Sequence, residues 1–355
     1  PVGAAGVQKV FLALAREFVR CGHEVTIFAR SWPGQADDEV LDGIHVVRWG
    51  GYAQGLNIWS DLAKDFMYAA RACRRVPPAD IVVTNDFWLP FMMQFGGGMR
   101  GKLVVAAHRF PKRQYRLYRH ADAVVAVSRP VANAIKVQEP ALAGRVFTIN
   151  NPVDTGMFHG IPRKPGDKVV VGILGRIHPE KGVHLLLEGT ERLVRQGCPV
   201  RVKVAGPWEQ SQGGGGERYW RTIRQMAEGL PVEIEGPLKA GELPGFYQSL
   251  DIFCLPSLAD FGEAMPVAPL EAMACGVVPV VSNIEAFMEY MDADVNGIVF
   301  DHHAADPSGE LAAALGRLIG DAEARTAMSA AARTTAERFS ASAVAAEYLE
   351  VFERL

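Results

Sequence analysis

The chain has 355 residues, of which 49% are hydrophobic and 22% charged, and its formal net charge is −3. This length accommodates two domains of ordinary size, and the near-neutral charge excludes a global attraction to nucleic acid. The five cysteines are odd in number and widely spaced, which argues against a disulfide framework or a zinc site. The longest apolar region, 264–281, is interrupted by proline, glutamate and glycine, so it predicts no membrane span. We therefore expect a cytoplasmic, globular protein.

The first half of the chain alternates between helical and strand patterns. Helices are predicted over 7–19 and 59–74, and strands over 24–29, 44–48, 81–84, 103–106 and 123–127. This alternation predicts an α/β fold with a doubly wound parallel sheet. The chain starts in a loop that contains Gly3 and Gly6, so we expect the numbering to omit a first strand. The two glycines would let a phosphate approach the helix that follows.

Polar residues follow two of these strands. In doubly wound sheets, ligands bind beyond the carboxyl ends of the strands. This rule selects Asn85 and Asp86 after one strand and His108 and Arg109 after another. Each pair is a candidate for a ligand site, although a lone histidine is more often structural.

A second α/β unit is predicted from Val169 onward. Its strands are predicted over 169–174, 200–205, 232–235 and 252–255, and its helices over 183–195, 218–228, 243–249 and 306–339. The first of these strands leads into a loop with Arg176 and Lys181, whose spacing lets a guanidinium and an ammonium converge on a diphosphate. The glycine run Gly213–Gly216 predicts a mobile loop.

Two carboxylates mark the segment that follows the strand 252–255. Glu263 is predicted in a loop, Pro266 and Pro269 suit a first helical turn, and Glu271 then falls about one turn into the helix. A helix N-terminus suits a phosphate, and nearby carboxylates suit the hydroxyl groups of a sugar or ribose. A phosphate and a polyol together describe a nucleotide sugar.

The two glutamates have seven residues between them and run into Leu-Glu-Ala-Met-Ala-Cys-Gly and Val-Pro-Val-Val. This pattern resembles the donor-site signature of glycosyltransferase family 4. Gly-Arg and Lys-Gly at 175–182 resemble a second motif of that family. The resemblance implies the GT-B fold, in which two doubly wound Rossmann-like domains face each other across a cleft. It implies four segments, namely an acceptor-side domain at 1–157, a linker at 158–168, a nucleotide-sugar donor domain at 169–339 and a helix at 340–355 that crosses back to the first domain.

The resemblance also implies a retaining, metal-independent sugar transfer to an acceptor hydroxyl of a glycolipid, a lipopolysaccharide or a small-molecule glycoside. It further implies a role for each residue. Arg176 and Lys181 would face the departing diphosphate, Glu263 the transferred sugar, Glu271 the ribose and His108 the reacting centre. The implied donor-binding residues are Gly3, Gly6, Arg176, Lys181, Glu263, Ala264, Met265, Pro266, Val267 and Glu271. The leaving phosphate would accept the acceptor's proton, so no enzymatic base is implied. The resemblance also implies no metal and no cofactor. The donor substrate would be a UDP- or GDP-sugar.

Two departures from the family pattern leave other functions open. Asn85 stands where the family often has histidine, and Ser282–Tyr290 lacks the usual glycine pair. A non-catalytic nucleotide-sugar-binding subunit, or another GT-B enzyme such as a nucleotide-sugar epimerase, therefore remains an alternative. Asp292-Ala-Asp294 is spelled like a metal-binding motif, but its context favours a surface turn.

The segment Arg109–Arg119 carries five cations and no acid. A helix here would place Tyr115 and Tyr118 among the cations, a combination that suits a membrane interface. We hypothesise a peripheral contact with anionic lipid at the inner face of the membrane, or with a glycan or glycolipid acceptor. A solvated helix face is the alternative, and no nucleic-acid partner is expected.

Overall fold

The computed structural model describes residues 6–31, 34–50, 58–94, 101–161 and 166–355. These residues form two compact units. The first, which we call the N unit, comprises Val7–Asn150 and Val344–Leu355; the second, the C unit, contains Asn151–Ala343.

The C unit begins before the predicted domain end at 157, because the chain from Asn151 is bonded into it. Asn151 Nδ2 donates to the carbonyl oxygen of Met265 at 3.1 Å. Phe158, at the start of the predicted linker 158–168, is buried, and its ring meets that of Tyr247 edge-on with 5.7 Å between centroids. The first residue of the predicted linker is therefore part of the C-unit core.

Helices and strands alternate up to Asn150. In chain order they are α1 (Gly6–Arg20), β1 (Thr26–Ala29), β2 (Asp38–Leu41), β3 (Ile44–Arg48), α2 (Ile58–Cys73), β4 (Ile81–Thr84), α3 (Leu89–Met93), β5 (Lys102–Ala107), β6 (Ala123–Ala126), α4 (Arg129–Gln138) and β7 (Val146–Thr148). The described strands form one sheet in the order β1-β3-β2 and another in the order β4-β5-β6-β7. Strands β4 to β7 are all parallel, as a doubly wound fold requires.

The antiparallel hairpin of β2 and β3 was not predicted. Its turn consists of Asp42 and Gly43, with φ of 54° and 79°. Two-residue hairpin turns need such left-handed values, and Asp-Gly is a favoured pair for them. The predicted doubly wound parallel fold therefore carries one antiparallel strand, β2, at this point.

The C unit contains one six-stranded parallel sheet. Its elements are β8 (Val169–Leu174), α5 (Val183–Arg195), β9 (Val200–Ala205), α6 (Gly216–Ala227), β10 (Val232–Glu235), α7 (Leu243–Gln248), β11 (Ile252–Leu255), α8 (Ala268–Ala274), β12 (Val278–Ser282), β13 (Ile298–Phe300), α9 (Pro307–Gly320) and α10 (Ala322–Glu337). The strand order is β10-β9-β8-β11-β12-β13. This is the 3-2-1-4-5-6 order of Rossmann folds, with its topological switch point between β8 and β11.

The predicted helix over 306–339 is two helices. Asp321 separates α9 from α10 with an extended backbone, and its carboxylate accepts a hydrogen bond from Ala324 N at 2.9 Å. This N-cap satisfies an amide that has no partner within α10. Asp321 is a typical N-cap residue and so marks the start of a second helix, which the apolar periodicity alone does not indicate.

The final helix, α11 (Ala341–Glu353), packs in the N unit. Its buried residues Val344, Tyr348 and Val351 join Val10 and Leu14 of α1 in one hydrophobic cluster. Among the described residues, no helix combines the length and apolarity needed to cross a membrane.

Candidate functional site

Two loops of the C unit meet at the switch point of its sheet. They are residues 175–182 after β8 and residues 256–267 after β11, and parallel strands end at the same edge. Leu258 N donates to the carbonyl oxygen of Glu180 at 2.7 Å, and Ser257 Oγ lies 3.1 Å from the same oxygen. These contacts fix the two loops to each other.

Gly182 allows this close approach. Its φ is 68°, and a Cβ atom built on it would lie 1.8 Å from the carbonyl oxygen of Pro256. Any side chain would therefore force the two backbones apart. The glycine ends a single 3₁₀ turn, Pro179–Lys181, and so determines where Lys181 lies.

Lys181 and Glu263 form a largely buried ion pair between the two loops. Lys181 Nζ donates to Glu263 Oε1 at 2.5 Å, and Ser257 Oγ lies 2.7 Å from the same oxygen. The exposed fractions of the two side chains are 17% and 6%. A buried carboxylate needs such compensation, because burial removes its hydration. The structure thus brings together two of the predicted catalytic residues.

Arg176 lies in the same loop as Lys181 but is more open to solvent. Its Nη1 donates to the carbonyl oxygen of Gly213 at 2.6 Å, and its Nη2 lies 3.4 Å from Glu180 Oε2. The side chain is 41% exposed. Both terminal nitrogens of the guanidinium therefore have protein partners, while part of the group remains accessible to solvent.

The glycine run that holds Arg176 is not the mobile loop that its composition predicted. The amides of Gly213, Gly214, Gly215 and Gly216 all donate to backbone carbonyls, at 2.8–2.9 Å. A Cβ atom on Gly214 would lie 2.2 Å from the carbonyl oxygen of Trp208. The glycines are needed for close packing rather than for flexibility, which sequence composition alone cannot distinguish.

The donor-binding segment predicted from Glu263 to Val267 is held by polar groups of the C unit. Met265 is buried, and its carbonyl accepts from Asn151 Nδ2. The carbonyl of Pro266 accepts from the hydroxyl of Tyr290 at 2.9 Å. Burial, and then the charge of Glu263, raise the pKa of Tyr290 well above its usual value, so that hydroxyl stays a donor. Helix α8 follows directly, with Pro269 in its first turn as predicted.

Glu271 lies in α8 and accepts a hydrogen bond from Tyr247. The distance from Tyr247 Oη to Glu271 Oε2 is 2.6 Å. Tyr247 is fully buried; its burial, followed by the charge of Glu271, raises the pKa of the phenol well above its ordinary value. The hydroxyl therefore donates at any working pH and orients the carboxylate. Nothing in the sequence around Tyr247 indicated this role.

The remaining predicted site residues are His108, Gly6 and Gly3. His108 directly follows β5, and its ring meets that of Phe11 edge-on with 5.3 Å between centroids. Gly6 is the first residue of α1 and is exposed. Gly3 lies outside the described residues. The histidine belongs to the N unit, whereas Arg176, Lys181 and both glutamates belong to the C unit.

Asp86 is an acid of the N unit with a perturbed pKa. It follows β4, and its Oδ1 accepts from the amides of Trp88 and Leu89 at 2.9 and 2.8 Å. Burial, and then the nearby carboxylate of Asp65, raise the pKa of Asp86 from 3.8 to about 6. A carboxyl group that titrates near neutrality is unusual outside functional sites, although structural networks also produce it.

The segment Arg109–Arg119 does not form the predicted amphipathic helix. It contains only a 3₁₀ turn at Gln114–Leu117, and Tyr115 and Tyr118 are 3% and 2% exposed. The hydroxyl of Tyr118 donates to the carbonyl of Phe87 at 2.5 Å. The prediction of aromatic side chains at a membrane interface is therefore wrong, because both rings pack into the N unit.

The structure also contains a cluster of Asp260, His302 and His303, which the sequence does not predict. Potential metal-ligating atoms of the three residues lie within 4.8 Å of one another. In contrast, Asp294 of the Asp-x-Asp sequence occupies a turn with φ of 62° and pairs with Arg317 at 2.8 Å. The turn predicted for that sequence is confirmed.

Structural comparison identifies the fold. Sucrose-phosphate synthase from Thermosynechococcus elongatus matches with a TM-score of 0.80 and 18% identity, over 99% of this chain and 94% of that one. Anabaena HepE in complex with UDP and glucose matches with a TM-score of 0.75 and 19% identity, over 99% and 96%. The two units with parallel sheets place the protein in the GT-B class of α/β folds, as predicted.

Sequence comparison identifies the family. Residues 157–335 match the family described as Glycosyl transferases group 1, and residues 4–156 match Glycosyltransferase Family 4. The chain belongs to this glycosyltransferase family, which confirms the resemblance seen in its motifs.

Individual curated relatives are 26% or 27% identical to this chain over the aligned residues. The D-inositol 3-phosphate glycosyltransferase of Thermobispora bispora is 27% identical over 65% of this chain and 56% of its own. The phosphatidyl-myo-inositol mannosyltransferase of Mycolicibacterium smegmatis is 27% identical over 61% and 54%. The D-inositol 3-phosphate glycosyltransferase of Xylanimonas cellulosilytica is 26% identical over 98% and 91%. The chain spans about half the length of several curated relatives that it matches.

Proposed function

We propose that the protein is a retaining glycosyltransferase that moves a sugar from a nucleoside diphosphate to an acceptor hydroxyl. The observation that carries this proposal is the Lys181–Glu263 ion pair, 2.5 Å long, beside Arg176 at the switch point of a Rossmann sheet. Cations at such a point suit a diphosphate, and a buried carboxylate beside them suits sugar hydroxyls. We infer a UDP- or GDP-sugar as the donor; the structural relative HepE of Anabaena has a crystal structure in complex with UDP-glucose.

In this proposal, each charged group has a distinct task. Arg176 and Lys181 stabilise the charge that develops on the departing diphosphate. Glu263 accepts hydrogen bonds from hydroxyl groups of the transferred sugar. A lysine ammonium has three N–H donors, so its bond to Glu263 leaves others for a phosphate oxygen. Glu271 accepts hydrogen bonds from the ribose hydroxyl groups, and the backbone of Ala264–Val267 faces the donor. His108 faces the reacting centre. The leaving phosphate accepts the acceptor's proton, so the step uses no enzymatic base and no metal.

The test is nucleotide release from a panel of UDP-, GDP-, ADP- and dTDP-sugars, with product anomers assigned by NMR. We expect one donor class to release nucleotide and the product to keep the donor's anomeric configuration. Donor binding without release would indicate a non-catalytic subunit, and an inverted product would contradict a retaining mechanism.

A matched pair of arginine variants tests the site itself. Arg176→Ala should lower kcat/KM at least 100-fold, because one lost charge-assisted contact to the transition state typically has this effect. Arg192→Ala is the control, because this arginine of α5 pairs with Asp306 and is 43% exposed, close to the 41% of Arg176. Equal activity of both variants would contradict the assignment of Arg176 to the diphosphate.

We further propose that the acceptor is anionic, a phosphorylated glycan or glycolipid, and that the protein works in the cytoplasm at the membrane surface. Arg109, Lys112, Arg113 and Arg116 are exposed, whereas Arg119 pairs with Glu139 at 2.8 Å. Relatives of the family include a D-inositol 3-phosphate glycosyltransferase and a phosphatidyl-myo-inositol mannosyltransferase, whose names contain phosphorylated compounds. Because the neighbouring tyrosines are buried, the attraction would be electrostatic and would weaken with salt.

Liposome co-sedimentation tests this acceptor proposal. We expect more protein in the pellet with anionic than with zwitterionic vesicles, and less after Arg113→Ser with Arg116→Ser. Arg195→Ser with Arg221→Ser removes the same charge from exposed arginines of the C unit, which are 72% and 76% exposed, and should change nothing. Equal pelleting with both lipids would leave a water-soluble acceptor.

A further inference from the structure

Three neighbouring strands of the C unit converge on a cluster of metal-ligating side chains. Asp260 follows β11, Asn283 follows β12, and His302 and His303 follow β13. These strands are parallel neighbours in the sheet. Their carboxyl ends therefore meet at one edge, and residues from distant parts of the sequence come together there.

The geometry of the cluster suits a small cation. His302 Nε2 lies 3.0 Å from Asp260 Oδ1, and His303 Nε2 lies 3.3 Å from Asp260 Oδ2. Ligands of a tetrahedral zinc ion are separated by roughly 3.4 Å, given Zn–N and Zn–O bonds of about 2.0–2.2 Å. The side chain of His302 is 2% exposed, whereas those of His303 and Asp260 are 64% and 43% exposed. The cluster is therefore anchored on one side and accessible on the other.

Hydrogen bonds around His302 determine which of its two ring nitrogens carries the proton when the ring is neutral. Asn283 Nδ2 donates to Asp301 Oδ1 at 3.1 Å, so Asn283 Oδ1 faces the ring and accepts from His302 Nδ1. In a neutral ring, Nε2 then carries no proton. It would point a lone pair at the carboxylate of Asp260, an arrangement that a cation between them resolves. Metal-binding histidines commonly donate their other N–H in this way.

We propose that Asp260, His302 and His303 bind one Zn²⁺ ion, with His302 oriented by Asn283 and a fourth position open to water. Two imidazoles and one carboxylate suit zinc better than the hard cations Mg²⁺ or Ca²⁺, which take oxygen ligands. The ion lies outside the chemistry of sugar transfer and serves to hold the loop 256–267. Within that loop the amide of Glu263 donates to the carbonyl of Ala259 at 3.2 Å, so a fixed Asp260 restrains Glu263.

Metal binding is measured directly on the metal-free protein, by calorimetry with Zn²⁺ and by the visible spectrum of the Co²⁺ form. We expect one ion per chain and a Co²⁺ spectrum without a thiolate charge-transfer band, which separates this site from binding at Cys21, an exposed thiol. Asp260→Asn and His303→Asn should each weaken Zn²⁺ binding at least tenfold. The side chains of Asp260 and His303 are both exposed, at 43% and 64%, so these variants should fold.

His45→Asn is the matched control. His45 Nε2 also lies 3.0 Å from an aspartate oxygen, that of Asp38, but it belongs to no group of three potential ligands in the described chain. This variant should bind Zn²⁺ as the wild type does. Unchanged binding in all variants, or no binding at all, would overturn the proposal and leave only a hydrogen-bonded contact between His302 and Asp260.

The consequence for the loop 256–267 rests on the proposed function, so it is tested without substrate. Zn²⁺ should slow amide hydrogen exchange in that loop at least threefold, and Asp260→Asn should abolish this protection. Tight binding without protection would refute the restraint on Glu263 but keep the metal site. A failure of nucleotide release would affect neither measurement.

Discussion

At the scale of single residues, the Lys181–Glu263 pair links the stability of the C unit to its proposed chemistry. The two residues are 82 positions apart in the sequence, and both side chains are largely buried. Losing one partner of such a pair leaves an uncompensated charge in a low-dielectric environment. An alanine at Lys181 therefore affects the fold as well as turnover, unlike an alanine at the more exposed Arg176.

We predict that Lys181→Ala lowers the free energy of unfolding by about 3 kcal/mol, because Glu263 remains buried without its counter-charge. Adding Glu263→Gln should recover more than half of that loss, since the amide is neutral, while turnover stays low. Urea denaturation of the two single variants and the double variant gives the coupling energy. Additive losses would show that the two charges do not depend on each other.

The second prediction at this scale concerns Tyr247, a positioning residue for Glu271. Tyr247→Phe removes the hydrogen bond to Glu271 Oε2 and should raise the Kd for the nucleotide roughly tenfold, equivalent to about 1.4 kcal/mol. We expect kcat to change less than Kd, because ribose contacts are equal in the ground and transition states. Calorimetry with UDP and GDP measures the affinity.

Tyr219→Phe is the control for this prediction, because its hydroxyl also has a side-chain partner, His184, at 3.0 Å. Both variants should lose stability, but only Tyr247→Phe should lose affinity. If both bind the nucleotide as tightly as the wild type, Glu271 does not hold the ribose.

The sequence predicted the charged residues of the site but not what holds them. Arg176, Lys181, Glu263 and Glu271 were found because their spacing follows a family motif. Tyr247 lies in an apolar helix, and the contact it makes depends on how α7 meets α8. His302 was missed for a similar reason: its partner Asp260 is 42 residues away. No local spacing encodes a contact of that kind.

At the scale of elements, the turn before α5 determines the geometry of the cation loop. Gly182 and Gly197 flank this helix, and their φ values are 68° and 76°. A Cβ atom on Gly182 would meet the backbone of Pro256, whereas a Cβ atom on Gly197 has nothing within 4 Å. The two glycines thus separate the cost of a left-handed backbone from the cost of a steric clash.

We predict that Gly197→Ala lowers the free energy of unfolding by about 1 kcal/mol, the cost of the left-handed conformation alone. Gly182→Ala should lower it by about 3 kcal/mol or more and should also reduce turnover, because the loop must shift away from Pro256. Thermal and urea denaturation of both variants measure this. Equal destabilisation by the two changes would mean that the contact with Pro256 does not restrain the loop.

Elements were predictable where the local pattern agreed with the fold. The periodicity of α5 and the apolar runs of β9, β10 and β11 gave their observed bounds, because core-facing residues repeat at regular spacing. The hairpin at Asp42-Gly43 was missed because helix–strand alternation outweighed its turn signal. The tyrosines of 109–119 were misplaced because helical spacing was assumed where only one 3₁₀ turn forms.

At the scale of the whole molecule, Asp86 makes stability depend on pH. Its pKa is about 6 in the folded protein against 3.8 for an ordinary aspartate. Between these values the folded state binds more protons than the unfolded state, so stability falls as pH rises through this window. Above pH 6, the folded protein carries the full penalty of a buried charge.

The shift of Asp86 corresponds to about 3 kcal/mol at most, at 1.36 kcal/mol for each pKa unit. An asparagine side chain at this position would keep an oxygen for the amides of Trp88 and Leu89 without the charge. We therefore predict that Asp86→Asn raises the free energy of unfolding by about 2 kcal/mol at pH 7.5 and leaves it nearly unchanged at pH 4. Asp80→Asn, at an exposed position just before β4, should alter neither value. Urea denaturation across this pH range tests the difference, and a gain of equal size at both pH values would show that burial does not perturb Asp86.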